Sequence, residues 1–222
     1  MRRFVSLLVN AFIFVVVYVA WTRLFFRFSE QGVPVGIVRE SLRWLKYFTV
    51  LSNLLMGLSS LLYLFGTTLM LCGVIRRVPG FIRMLKYMAT VSLMLTFCVV
   101  IAWIGPATGF RHAYTGVNLW FHLIVPLAAA LDFMLLDRTG RLPFAATLGA
   151  VVPALLYGGW YLGNILKNGA AGNDWYGFAA GGPATMPMVF AAVLLADWVL
   201  ALLLWLPRRA RRSGGKRGTE AA

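Results

Sequence analysis

Apolar residues in this chain fall in long blocks, not in the alternating or every-third-position pattern of a soluble domain. Six blocks, at 4–26, 48–75, 84–105, 114–136, 142–166 and 184–206, are broken by few charged residues. A helix rises 1.5 Å per residue, so about 20 residues cross a hydrocarbon core of roughly 30 Å. Backbone polar groups in lipid must bond within their own segment. The pattern therefore predicts an all-α fold, a polytopic transmembrane helical bundle of about six spans. Residues 1–207 form its single domain and 208–222 a basic, disordered tail. The first block follows Met1-Arg2-Arg3 as a signal peptide would, yet it runs on to Trp21 without a small-x-small cleavage site, which predicts a retained span.

Composition agrees. Hydrophobic residues make up 60% of the chain and charged ones 13%, with mean hydropathy +0.78, which leaves no room for a separate soluble domain. The net charge of +14 would suggest nucleic acid in a soluble protein. Its placement points to lipid instead. If the N-terminus is inside, 14 basic residues lie on the inner side, including Arg76, Arg77, Lys86 and the Arg208–Arg217 run, and 7 on the outer. The positive-inside rule then places both termini in the cytoplasm. The expected partners are membrane lipids, with no nucleic acid, and the Ala, Gly and Arg content suits a bacterial plasma membrane.

Chemistry motifs are sparse. Cys72 and Cys98 fall at different depths, so free thiols are expected rather than a disulfide. No Cys/His cluster has metal-ligand spacing, and no phosphate-binding or nucleophile-elbow motif occurs, so neither a metal nor a cofactor is expected.

Polar side chains inside the spans carry the remaining information, because an ionisable group in lipid is expensive. His122, Asp132 and Asp197 are such groups. Thr49 and Asn53 share one helix face near the outer end of the second span, and Asn118 and His122 share one near the outer end of the fourth. Thr49 and His122 thus fall at matching depth, where a hydroxyl and an imidazole can serve as nucleophile and base. Asp132 lies ten residues further along, roughly 15 Å deeper, so Asp132 and Asp197 read as helix glue or a proton path. Pro126 predicts a kink just below His122. The outer loop before the last span carries Trp175, Tyr176 and Phe178, either as an interfacial belt or as a lid over the Thr49/His122 layer.

Three patches, Phe48-Thr49, His122 with Val125-Pro126, and Trp175-Tyr176-Gly177-Phe178, together resemble the androgen-induced and androgen-dependent multipass membrane hydrolases and their bacterial relatives. Family members tend to carry proline where this chain has Gly177, and Asn53 is more like the bacterial relatives. The resemblance implies an intramembrane lipid-ester hydrolase acting on a fatty acyl ester, with Thr49 as nucleophile and His122 as its base. Asn53, Asn118, Trp175 and Tyr176 would then contact substrate. Two other classes fit the same polar residues. One is a non-catalytic membrane scaffold, the other a small proton-coupled transporter using His122, Asp132 and Asp197.

Overall fold

The computed structural model describes residues 1–28, 34–37, 41–137, 139–182 and 184–209. The expected tail lies outside them from residue 210 on. Most of the described residues are helical, and among them five helices are long and apolar enough to cross a membrane. These are α1 (Arg2–Phe25), α2 (Phe48–Leu71), α3 (Gly80–Thr108), α4 (Val117–Leu136) and, after the shorter α5 (Val152–Asn168), α6 (Met186–Arg209). Two short antiparallel strands, β1 (Phe26–Phe28) and β2 (Pro34–Ile37), follow α1.

The block at 142–166 does not make one long helix. A turn of helix, Ala146–Ala150, stops at Val151, and α5 restarts with Pro153 in its first turn. Proline has no N–H to give to the carbonyl four residues back, which ends the preceding helix. Proline acts differently in α3 and α4. Before Pro106 and before Pro126 the helix widens into a π turn, at Val100–Ile104 and Trp120–Ile124. Gly105 and Val125 donate five residues back, to Val100 and Trp120. The kink expected below His122 is this widened turn, with His122 in its middle.

Helices α1 to α4 pack around one apolar cluster that includes Ile13, Val17, Met56, Leu93, Val125 and Ala129. Close approach of α1 and α2 depends on Gly57, where a Cβ would sit 2.8 Å from Val17 Cγ1. Below this cluster sits a buried ionic one. Lys86 is fully buried and pairs with Asp132 at 2.6 Å and Asp137 at 3.5 Å. Asn10 donates to the same Asp132 oxygen at 2.8 Å, and Arg208 reaches Asp137 at 2.5 Å. Tyr63 places its ring 3.4 Å below the Lys86 ammonium and its hydroxyl 3.0 Å from Ser6.

Two sequence expectations change here. Lys86, counted from the sequence among the inner-side cations, is not a surface charge; α3 begins at Gly80, so Lys86 lies in its second turn, buried in the bundle. Arg208 is not tail; α6 continues past Pro207 to Arg209, and Arg208 is buried. Asp132 is helix glue, tying α1 to α3. Burial raises the Asp137 carboxyl, but Lys86 and Arg208 outweigh it and hold it down at about 2. Asp197, on α6, is also fully buried, and neither oxygen has a hydrogen-bond partner among the described residues. The two cysteines are free.

Removing one partner of a buried pair strands the other charge, a loss of about 3–5 kcal/mol. Lys86→Met should therefore lower the thermal midpoint in detergent strongly. The double variant Lys86→Met/Asp132→Leu should recover much of the loss, since no charge is stranded between those two positions. Differential scanning fluorimetry of the three proteins checks this.

Candidate functional site

Thr49 enters the structure as the second residue of α2, and its position there follows from how that helix begins. Tyr47, the residue before the helix, offers no side-chain cap. The cap comes from the loop before α6: Phe48 N–H donates to the Tyr176 hydroxyl at 2.8 Å. That loop is itself pinned. Asp174 accepts from the backbone N–H groups of Phe178 and Ala179, each at 2.9 Å, and from the Tyr161 hydroxyl. Trp103 on α3 donates to the Tyr176 carbonyl at 2.8 Å, and Trp175 donates to Tyr157 at 3.0 Å. Tyr157 in turn donates to the Lys46 carbonyl at 2.7 Å. The Lys46 ammonium sits over the rings of Tyr47 and Trp175, about 5 Å from each. Burial, then the neighbouring Tyr157, pushes the Tyr176 hydroxyl well above the usual phenol range, so it stays a neutral cap.

His122 is positioned from the other side. The short helix Phe110–Ala113 precedes α4, and its last carbonyl lies 2.8 Å from His122 Nδ1. A carbonyl only accepts, so Nδ1 carries the proton and Nε2 keeps a lone pair. The ring is 8% exposed, enough to reach one cavity and little else.

That cavity has a volume of about 520 Å³ and is walled by α2, α3, α4 and the aromatic loop. Thr49, His122, Asn118, Trp175 and Tyr176 all line it, together with Trp44, Tyr47, Trp103, Phe121 and His112. Five of the six residues singled out in the sequence therefore meet around one space. Among the described residues no hydrogen bond joins Thr49 to His122. The Thr49 carbonyl accepts from Ser52 and Asn53, and no bond among the described residues engages its hydroxyl.

Asn53 is the exception. It is fully buried behind the cavity wall, and its amide nitrogen donates to Thr49 O at 2.8 Å and Phe121 O at 3.2 Å. One amide bond stays within α2, to the Thr49 carbonyl, and the other joins α2 to α4 at Phe121, so Asn53 holds the wall and is not among the residues that line the cavity. Asn118 does line it, while giving one long bond to His112 O at 3.4 Å.

Sequence reading missed three things. It did not see that Tyr176 caps α2, that Trp103 anchors the aromatic loop, or that His112 joins the wall. The first two depend on contacts between residues 128 and 73 positions apart, which no local pattern reports. Among the described residues no group of three metal-ligating side chains occurs. Compared with protein-family models, curated proteins and solved structures, the chain matches none of them.

Tyr176→Phe removes the cap acceptor and leaves the ring. The expected result is a protein that folds with a stability loss of about 1 kcal/mol and faster amide exchange confined to the first turn of α2 and residues 169–182. Hydrogen–deuterium exchange read by mass spectrometry tests it; unchanged exchange there would show that the bond contributes nothing to loop order.

Proposed function

We propose that this chain is a multi-pass membrane protein of about six spans, counting the broken segment of Ala146–Ala150 and α5, that hydrolyses fatty acyl esters. In this reading both termini are cytoplasmic and the cavity lies in the outer layer of a plasma membrane. The observation that carries the proposal is that Thr49 and His122 line one cavity, with His122 held in the tautomer a general base needs.

The steps follow from that arrangement. The Thr49 oxygen attacks the ester carbonyl while His122 Nε2 takes its proton. Collapse of the tetrahedral adduct expels the alcohol, which leaves with the proton from His122. An acyl-threonine remains. Water, giving a proton to the same nitrogen, then attacks it, releases the fatty acid and restores the Thr49 hydroxyl. Negative charge developing on the carbonyl oxygen is next to the N-terminus of a 24-residue helix, whose dipole favours anions there. Asn118 is the amide positioned to assist; Asn53 is not. Trp175 and Tyr176 line the space that the ester group would fill. The resemblance to the androgen-induced and androgen-dependent hydrolases supports the same two residues.

The transporter reading loses ground. Between the His122 layer and Asp132 the four-helix interior is packed with Ile13, Met56, Leu93, Val125 and Ala129, each fully buried. Asp132 is also committed to Lys86 and Asn10. The scaffold reading accounts for the ionic cluster, but gives no reason for a cavity of this size with a threonine hydroxyl free on its wall.

Hydrolysis of a fluorogenic long-chain ester by the detergent-solubilised protein tests the proposal. Thr49→Ala and His122→Ala should each lower the rate by about 10²–10⁴-fold without moving the thermal midpoint by more than a few degrees, and Thr49→Ser should retain activity. A wild type that hydrolyses no ester, or variants that match it, would refute the assignment.

A further inference from the structure

Thr49 lines a second space as well. On its other side lies a crevice between α3, α5 and α6, walled by Leu95, Val99, Ala154, Val189, Val193 and neighbouring side chains. Thr49, Ile104 and Tyr176 are common to both spaces, so they meet at the threonine. Their chemistry differs. The larger cavity offers His112, His122, Asn118, Thr108 and Thr115. The crevice offers almost nothing polar, because its polar groups are spent elsewhere. Tyr157 gives its hydroxyl to Lys46 O, Tyr161 to Asp174, Tyr176 serves as the α2 cap, and Thr96 bonds Ser52 and Ser92. What faces inward is ring and aliphatic surface.

One wall of the crevice depends on a glycine. A Cβ at Gly158 on α5 would lie 1.9 Å from Phe190 Cε2 on α6, so any side chain there would push that ring out of the seam between the two helices. Phe190 is half-buried there, with the crevice on one side and the outer surface of the bundle on the other.

We infer that the crevice is the subsite for the acyl chain, that the larger cavity takes the alcohol portion of the same ester, and that Phe190, lying over Gly158, sets the width of chain admitted. This rests on the hydrolase reading above. The division follows from where Thr49 stands. An ester carbonyl placed at its hydroxyl has two substituents; of the two spaces meeting there, one is almost wholly apolar and the other sets polar groups among apolar walls such as Leu24, Val50 and Phe121. A hydrocarbon chain against the histidine and asparagine groups would desolvate them without bonding them; in the crevice it displaces no hydrogen bond. The crevice therefore takes one alkyl chain, that of the acyl group.

Two measurements separate this inference from the reading beneath it. The first compares kcat/KM for p-nitrophenyl esters of straight and methyl-branched acids from C4 to C16 in the wild type, Phe190→Ala and Phe190→Trp. Opening the seam should raise the branched-to-straight ratio at least fivefold, and the tryptophan should lower it. The second does not depend on turnover. A fatty acid bearing a diazirine at mid-chain is photolysed with the full-length protein in detergent, and the crosslinked peptides are mapped. Adducts should concentrate on the inward positions Ala154, Val189 and Val193, and excess unlabelled fatty acid should suppress them. Thr49-dependent hydrolysis with unchanged chain selectivity, and adducts scattered over the lipid-facing surface, would overturn the subsite and leave the hydrolase standing. Crevice adducts without hydrolysis of any ester would sink the hydrolase reading and keep only a fatty-chain pocket.

Discussion

The buried pairing of Lys86 with Asp132 and Asp137 is the constraint on which the rest of the bundle depends. Four full charges, counting Arg208, sit where no water reaches them, and each is satisfied only if its helix holds its register. Lys86 belongs to α3, Asp132 to α4, Arg208 to α6, and Asp137 lies just beyond α4. Asn10 of α1 and Tyr63 of α2 complete the shell. An apolar helix in lipid can slide or rotate at little cost, because lipid tails are as apolar as leucine. A slide of one residue here would strand a charge. The cluster thereby sets the depth and rotation of every helix that later contributes to the cavity.

With the Lys86 end of the bundle fixed, the opposite end tolerates looser chemistry. Above the ionic cluster comes the apolar cluster around Met56 and Val125, and above that the cavity, where α2 begins and α4 widens. Thr49 and His122 reach the same space because α2 and α4 are held at one depth, with Asn53 bridging them directly. The aromatic loop closes the arrangement by capping α2 through Tyr176 instead of resting on the surface. Fold and site are thus coupled through hydrogen bonds that run from a loop to a helix terminus.

Much of this was legible in the amino-acid order, for physical reasons. The long helices are written as apolar blocks because hydrocarbon thickness fixes their length. Thr49, His122, Asn118, Trp175 and Tyr176 could be brought to one layer by counting residues from the block ends. Other features were out of reach or misread. Lys86 and Arg208 lie near block ends, where a cation is ordinarily a topogenic charge, and only the facing carboxylates show otherwise. Asn53 lies on the same face as Thr49, but which way its amide points depends on the Phe121 carbonyl of another helix. The block at 142–166 reads as one span, although Pro153 inside it marks the break before α5. Pro126 signalled a disturbance as well, though proline alone does not say whether a helix kinks or widens.

An activated Thr49 nucleophile can be trapped covalently. A fluorophosphonate carrying an alkyl chain should phosphonylate the folded protein once, and peptide mapping should place the adduct on Thr49. His122→Ala should abolish it with the thermal midpoint preserved. A well-folded wild type that takes no adduct, or an adduct on another residue that persists without His122, would mean that Thr49 is no nucleophile and leave a membrane bundle whose polar residues serve only to hold its helices together.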